Sequence, residues 1–488
     1  MKKLNLIPYP EKIEYLGGSV SAAVLDRFTK QTAEPNEYGE EGYSIQIDET
    51  GAVVTAGTAY GFFRAEQTMK QLRNYAELPC LCITDSPAFP YRGFLLDSVR
   101  HMQSTEELKK LIDAAALFKF NKMHWHLSDD QGFRMESERY PKLNEIGSYR
   151  SSSDFGGEHI QARYGGFYTK AQIREIVAYC AERHIEVIPE LDMPGHTTAI
   201  IASYPAVSCR RLAVEVQTKQ GIFDNLLCAG DEKTFAFLFD LLDEICELFP
   251  SEHIHIGGDE APKKRWEECP KCRAKKNELG LKNFEELQGW FVNRIIEFLA
   301  AKGKKAIVWN ESLNSNNLDT SATVQMWMDR NGKSAVWANR GNHVIVSPFF
   351  SYYCDYPYCQ TPVKKTYEYD PYFKGLAPIM RKYVLGVEAP LWTEYIGDFD
   401  RACYLAFPRF AAVAERGWSR KEHLDYDSFK LRFACLVPML NKTGIKPAPQ
   451  SDWDPDKIHR ITDTVKFYKN KIDLESIKNS WNTTYRKE

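Results

Sequence analysis

The hydrophobic rhythm of the chain changes near residue 90. Before it, short stretches alternate apolar and polar positions, as in residues 42–47 (GYSIQI) and 52–57 (AVVTAG). Residues 59–74 (AYGFFRAEQTMKQLRN) place apolar positions at helical spacing instead. This pattern predicts a small α+β domain over residues 1–90. Prolines accumulate over residues 79–92 (PCLCITDSPAFPYR), which reads as a linker. From about residue 92, apolar runs with polar ends alternate with long amphipathic stretches. The runs GFLLDSVRH, KMHWHLSDD, IEVIPELDMPGH, HIHIGGDE, KKAIVWNES, TVQMWM, HVIVSPFF and VLGVEAPLW predict eight strands. Between them lie helical stretches such as STEELKKLIDAAALFKFN, whose Ser104 and Glu107 make a capping box. A single helix over FDRACYLAFPRFAAVAERGW closes the set.

Eight strand–helix units over roughly 330 residues predict an α/β fold, a (β/α)8 barrel over residues 91–420. A doubly wound open sheet would not need eight strands, and no glycine-rich dinucleotide turn follows the first one. Residues 421–488 read as C-terminal helices packing on the barrel, with no chemistry assigned. The polar strand ends are informative: Asp97 and Arg100, Asp129 and Asp130, Asp192 and His196, Asp259 and Glu260, Trp309 and Glu311, Trp327, Tyr353 and Asp355, Trp392 and Glu394. In a barrel these ends converge on the C-terminal mouth, where active sites of this fold sit. Core packing does not explain such a convergence, because buried acids are costly unless paired or used.

Composition narrows the class. The 488 residues are 43% hydrophobic and 26% charged, as in a soluble globular protein with a large core. With 63 Lys+Arg against 66 Asp+Glu, the net charge of −3 excludes a nucleic-acid or anionic-membrane surface as the main partner. No apolar run reaches the roughly 18 residues of a spanning helix. The start, MKKLNLIPYP, has too short an apolar segment for a signal peptide, so a cytoplasmic protein is expected. Twelve cysteines without framework spacing then read as reduced thiols. CPKC, with Cys269 and Cys272, has the spacing of half a zinc site, but no second C-x2-C exists, so a metal there is the minority reading and the sequence leaves it open. No cofactor is expected. Oligomeric state stays open, a homodimer being only a guess.

A mouth rich in carboxylates and aromatics suits a sugar, since flat rings stack on pyranose faces and acids hydrogen-bond hydroxyls. Glycoside cleavage commonly uses two carboxyls set apart across the bond. Asp259 and Glu260 are adjacent, which points to a substrate that supplies its own nucleophile. At this point a family likeness emerges. The stretch HIHIGGDEAP resembles the signature of family 20 glycoside hydrolases, the β-N-acetylhexosaminidases. The likeness runs through RGFLLDSVRHMQSTEELKKLIDAAALFKFNKMHWHLSDDQGFR, VIPELDMPGHTTA, VWNES, LWTEY and ERGW, in order, from about residue 92 to 420. LIPYPEKIEYLGG with YGFFRAEQTMKQL is similar to that family's small N-terminal domain.

The resemblance implies an exo-acting retaining enzyme that releases terminal β-linked GlcNAc or GalNAc from an oligosaccharide or glycoconjugate. It implies Glu260 as general acid and base, and Asp259 as the group orienting the 2-acetamido nucleophile. Arg100 would hold the 3- and 4-hydroxyls, and Tyr353 would donate to the acetamido carbonyl. Trp309, Trp327 and Trp392 would wall the acetamido pocket, and Asp355 and Glu394 would read the 4- and 6-hydroxyls. His196 with Asp129 or Asp130 would tune Glu260, and Asp192 would steady the preceding turn. Two rivals remain. His124 and His126 form an H-x-H that with His196 could serve a metal-dependent hydrolase, and the aromatic mouth would equally suit a non-catalytic carbohydrate-binding protein. The natural glycan is not legible.

Overall fold

The computed structural model describes residues 4–34, 37–155 and 159–471. Five strands come first: β1 (Lys12–Ser21), β2 (Phe28–Thr32), β3 (Tyr43–Asp48), β4 (Gly51–Ala56) and β5 (Glu77–Asp85). They form one sheet in the order β1-β5-β3-β4-β2, antiparallel except between β2 and β4. Helix α1 (Ala59–Leu72) shares a core with it, burying Ala65, Met69 and Leu72 alongside Ile45, Val54 and Ile83. The stretch expected as a linker is half strand, because residues 79–85 belong to β5, between β1 and β3. Pro79 sits near the strand start, opposite Ser19 where the β1 register shifts, and there a missing N–H costs the ladder least.

Eight parallel strands follow and close on themselves: β6 (Tyr91–Asp97), β7 (Lys122–His126), β8 (Glu186–Glu190), β9 (His253–His255), β10 (Lys305–Trp309), β11 (Thr323–Met326), β12 (Val344–Val346) and β13 (Val384–Leu391), which pairs with β6. The longer outer helices are α2 (Thr105–Leu117), α3 (Lys170–Ala181), α4 (Glu232–Leu248) and α5 (Phe284–Ala301). Ser104 and Glu107 form the expected capping box on α2. The helix expected over residues 399–418 is two, α6 (Phe399–Ala406) and α7 (Arg409–Trp418). Pro408 separates them, since it offers no N–H and its ring clashes with the preceding turn.

Alternation along the strands sorts side chains between ring and lumen. In β7, Met123 and Trp125 join the outer core, while His124 and His126 find their partners among the polar side chains of neighbouring strands. Tyr91, Ile188, Ile307 and Ile345, from alternate strands, make one apolar layer. The other four strands supply His124, His255, Gln325 and Glu388, a buried polar set. His124 stacks on His255 at 4.4 Å, and Gln325 donates to Glu388 at 2.6 Å. The small domain is tied to the barrel by buried charge: Arg64 and Arg92 both pair with Glu41, and Lys119 with Asp85 at 2.8 Å.

Two further helices follow the barrel. Helix α8 (Tyr426–Lys442) buries Phe429, Phe433, Leu436 and Leu440 and pairs Arg432 with Glu415. Helix α9 (Lys457–Lys471) reaches the barrel mouth, with Phe467 against Tyr356 and Tyr395. No described helix is long and apolar enough to cross a membrane.

Candidate active site

The loops after the barrel strands surround a cavity of about 980 Å³, lined among others by Arg100, Asp129, Asp192, His196, Asp259 and Glu260. Trp327, Tyr353, Asp355, Trp392 and Glu394 complete most of its wall. Of the thirteen residues given roles in the sequence, eleven line this cavity, and Asp130 and Trp309 do not. Trp309 is buried outside the lining, where its indole donates to Glu190 at 2.8 Å. A strand-end tryptophan turned onto a buried carboxylate and one turned into the mouth look alike in sequence.

The backbone around Asp259 explains the glycines before it. Gly257 and Gly258 have φ of +65° and +106°, where side chains are disfavoured. A Cβ on Gly257 would lie 1.6 Å from the Asp192 carboxylate, and one on Gly258 would lie 2.3 Å from the Ser312 hydroxyl. Asp192 accepts from the Gly258 N–H at 3.2 Å, so the close approach is itself a contact. Glu260 also has positive φ, +41°, in a region costing a non-glycine residue about 1–3 kcal/mol. Its N–H donates to Glu311 at 2.8 Å, which helps to hold that geometry.

Four carboxyls, Asp192, Asp259, Glu260 and Glu311, therefore crowd one spot. Burial, with Glu260 as a like-charged neighbour, pushes Asp259 up to about 7 against the opposing pull of His196. Burial and the charges of Glu260 and Asp259 push Glu311 up to about 8. Asp192 is raised well above the usual carboxylate range by burial and by Asp259. Glu311 was visible as a strand-end acid but was not among the residues given a role; its contact with Glu260 depends on a loop path that spacing does not encode.

A relay runs outward from Glu260. His196 Nε2 lies 3.6 Å from the Glu260 carboxylate, and its Nδ1 lies 3.1 Å from Asp129 and 3.2 Å from Asp130. The two aspartates divide their tasks. Asp129 also pairs with Arg100 at 2.6 Å, whereas Asp130 accepts from the Thr198 N–H at 2.9 Å and anchors a helix start. Burial alone would lower the His196 pKa, but Asp129 overcomes this and raises it well above the usual imidazole value. Arg100 further meets Asp97 at 3.2 Å, Glu394 at 3.6 Å and Gln131 at 2.8 Å, and its guanidinium lies over the Trp392 ring at 5.3 Å. Tyr353 stacks near Trp327 and lies 6.3 Å from Trp392. Asp259 Oδ1 and Asp355 Oδ1 are buried without a hydrogen-bond partner among the described residues, a costly state that a polar ligand relieves.

The cavity has a wall that sequence reasoning missed. Thr464, Val465, Tyr468 and Lys469 of α9 line it, so the C-terminal segment to which no chemistry was assigned borders the site. Gln220, Gly221 and Ile222, from the loop after β8, line another edge.

The H-x-H histidines are otherwise engaged. His124 places Nδ1 3.0 Å from Glu388 and Nε2 3.1 Å from Glu190, and His126 lies between Glu190 and Asp129. Burial would lower their pKa values, but the acids win and raise them to about 9 and about 10. Neither ring lines the cavity, so the H-x-H pair does not meet His196 there as the metal-dependent reading requires. Elsewhere, Cys209 and Cys228 join Cys269 and Cys272 in one cluster, so the partners that CPKC lacks in sequence are present in space.

Known proteins match this arrangement along nearly the whole chain. Residues 89–421 match the glycosyl hydrolase family 20 catalytic domain and residues 21–86 match domain 2 of the same family. A beta-hexosaminidase of Porphyromonas gingivalis is 37% identical over 88% of the chain, which spans only 57% of that longer protein. The crystal structure of a beta-N-acetylhexosaminidase superposes with a TM-score of 0.85 at 31% identity, covering 94% of this chain and 100% of that one. An exo beta-N-acetylglucosaminidase from Vibrio harveyi, in complex with N-acetylglucosamine, superposes with a TM-score of 0.81 at 30% identity, covering 92% and 78%. The chain belongs to glycosyl hydrolase family 20.

Proposed function

We propose that this chain is an exo-acting, retaining β-N-acetylhexosaminidase that releases terminal β-linked GlcNAc or GalNAc by substrate-assisted catalysis. The observation that carries the reading is the adjacent pair Asp259 and Glu260 in one cavity. Asp259 there has a buried, unpartnered carboxylate oxygen, and Glu260 is backed by His196 and Asp129. Vicinal carboxyls suit two tasks on one substrate rather than attack from opposite sides of a bond, and family 20 is a recognised exception to the two-carboxylate rule.

In this mechanism the Glu260 carboxyl gives its proton to the glycosidic oxygen as the C1–O bond breaks. The 2-acetamido carbonyl oxygen attacks C1 and forms an oxazolinium ring. Asp259 accepts the acetamido N–H and stabilises the positive charge, while the Tyr353 hydroxyl donates to the carbonyl oxygen. The Glu260 carboxylate then takes a proton from water, which attacks C1, opens the ring and restores the β configuration. Holding the nucleophile at reacting distance removes several kcal/mol of the barrier, roughly 7–11 at best. Arg100, Asp355 and Glu394 bind the ring hydroxyls, and Trp327 and Trp392 enclose the acetamido group. Trp309, outside the lining, packs behind Trp392 with ring centroids 6.1 Å apart. A non-catalytic binding protein would need none of the strained, acid-crowded backbone at Glu260.

The test compares chromogenic β-glycosides of GlcNAc, GalNAc and glucose. Turnover confined to the two N-acetyl sugars and unchanged by brief chelator treatment is expected. Comparable release from the glucoside would remove the acetamido nucleophile, and with it the roles of Asp259 and Tyr353.

A further inference from the structure

The loop after β8 and the segment following Asp259 and Glu260 meet at four sulfurs. Cys209 and Cys228 come from the loop, Cys269 and Cys272 from the segment, and all four Sγ atoms lie within 4.8 Å of one another. Cys209–Cys272 and Cys228–Cys272 are 3.7 Å apart and Cys228–Cys269 is 3.9 Å apart. A disulfide requires about 2.05 Å. A tetrahedron of thiolates around one zinc at about 2.3 Å has edges of about 3.8 Å. We propose that Cys209, Cys228, Cys269 and Cys272 hold a structural zinc ion.

The local structure suits such a site. Cys269 caps the helix Pro270–Glu278, with Pro270 at its first position, so Cys269 and Cys272 present their sulfurs from one short turn. The Gly230 N–H hydrogen-bonds to the Cys228 sulfur, as amides around metal-bound thiolates do. Gly230 is also locked against the other segment, since a Cβ there would lie 2.3 Å from the Lys271 carbonyl and 2.5 Å from the Cys272 nitrogen. Four thiolates and one divalent cation leave a charge of −2; Arg210, Arg211, Lys271 and Arg273 lie beside the cysteines, with Arg211 and Lys271 also paired to Asp231 and with Glu267 and Glu268 preceding Cys269. Three of the four cysteines are buried, Cys209 partly so.

The ion would act at a distance from the chemistry. None of the four cysteines lines the cavity. The loop they anchor carries Gln220, Gly221 and Ile222 to the cavity edge, and the opposing segment begins directly after Glu260. Trp266 Nε1 donating to Leu227 O at 2.9 Å and the Arg265–Asp224 pair join the same two segments. The zinc is therefore a clamp between a wall of the cavity and the backbone that presents the two carboxyls. Because both ligand pairs are brought together only by folding, the ion also stabilises the native state.

The test is elemental analysis of the full chain purified in reductant without chelator, with zinc release followed colorimetrically on titration with an organomercurial. One zinc per chain, freed as four thiols react, is expected. Replacement by cobalt should give the intense thiolate-to-metal absorption of a tetrahedral sulfur site. Cys228→Ser and Cys272→Ser should each abolish stoichiometric zinc and speed proteolytic cleavage within residues 208–231, whereas Cys435→Ser should retain both properties of the parent. Metal-free wild-type protein, with the four cysteines as free thiols or as two disulfides, would overturn the proposal, and so would iron in place of zinc. None of these readouts depends on glycosidase turnover.

Discussion

Glu260 is the residue at which local strain and the proposed chemistry coincide. Its positive φ turns the carboxyl out of the strand direction, and Gly257 and Gly258 make the turn possible because Asp192 and Ser312 occupy the space of their side chains. Glu260→Gln is expected to lower kcat about 10²–10⁴-fold for glycosides whose leaving group needs a proton, and far less for aryl glycosides with good leaving groups. Equal losses in both series would contradict the acid role. Asp259→Asn should slow both series, by about 10²–10³-fold, because it weakens stabilisation of the charge on the acetamido nucleophile. Near-parental rates would remove that assignment. Glu311 makes a separate prediction. The crowded carboxyls hold a proton near neutrality as a group, with Asp259 up at about 7. Glu311→Gln deletes one acid from the group, so the acidic limb of the kcat/KM profile should move to lower pH. A limb that stays in place would show that Glu311 does not share that proton.

Among the elements, the eight strands and their polar ends were legible because a barrel strand needs one continuous apolar run and its catalytic residues begin where that run stops. Helices α2 to α5 were legible from their 3.6-residue period and from the cap at Ser104. Other elements escaped. Pro79 disguised β5 as linker, and the apolar period running through residues 399–418 concealed the break at Pro408. Helix α9 is the most consequential. Its stretch KIHRITDTVKFYKNK is polar overall, and nothing in it announces that Thr464, Val465 and Tyr468 face a sugar-sized cavity. Phe467 packs on Tyr356 and Tyr395, which adjoin Asp355 and Glu394, so α9 lies beside the residues proposed to read the 4- and 6-hydroxyls of the terminal sugar. Tyr468→Ala is therefore expected to raise KM severalfold for oligosaccharides and small aryl glycosides alike, by the about 0.5–1.5 kcal/mol of a lost ring contact, with kcat retained. A KM change confined to oligosaccharides would place Tyr468 in the aglycone region instead.

At the scale of the whole molecule, buried charge joins the two sheets. Glu41 is buried, which by itself would raise its pKa, but Arg92 and Arg64 overcome this and bring it down to about 2. The pair contributes on the order of 3 kcal/mol to folding above pH about 4.5. That contribution is lost as pH falls towards about 2, so a Glu41→Gln variant should be less stable than its parent at neutral pH and nearly equal to it near pH 2. Urea titrations at the two pH values compare them. The sequence by itself determined the class of fold, the mouth and the adjacent acids Asp259 and Glu260 within it, because periodicity and strand-end polarity are local properties and HIHIGGDEAP is contiguous. Only the tertiary structure decided that Trp309 lies outside the cavity lining, that Glu311 meets Glu260, that α9 borders the site, and that Cys209 and Cys228 reach Cys269 and Cys272. Each of these depends on where a loop or helix returns to the barrel, and that path is set by long-range packing rather than by any spacing along the chain.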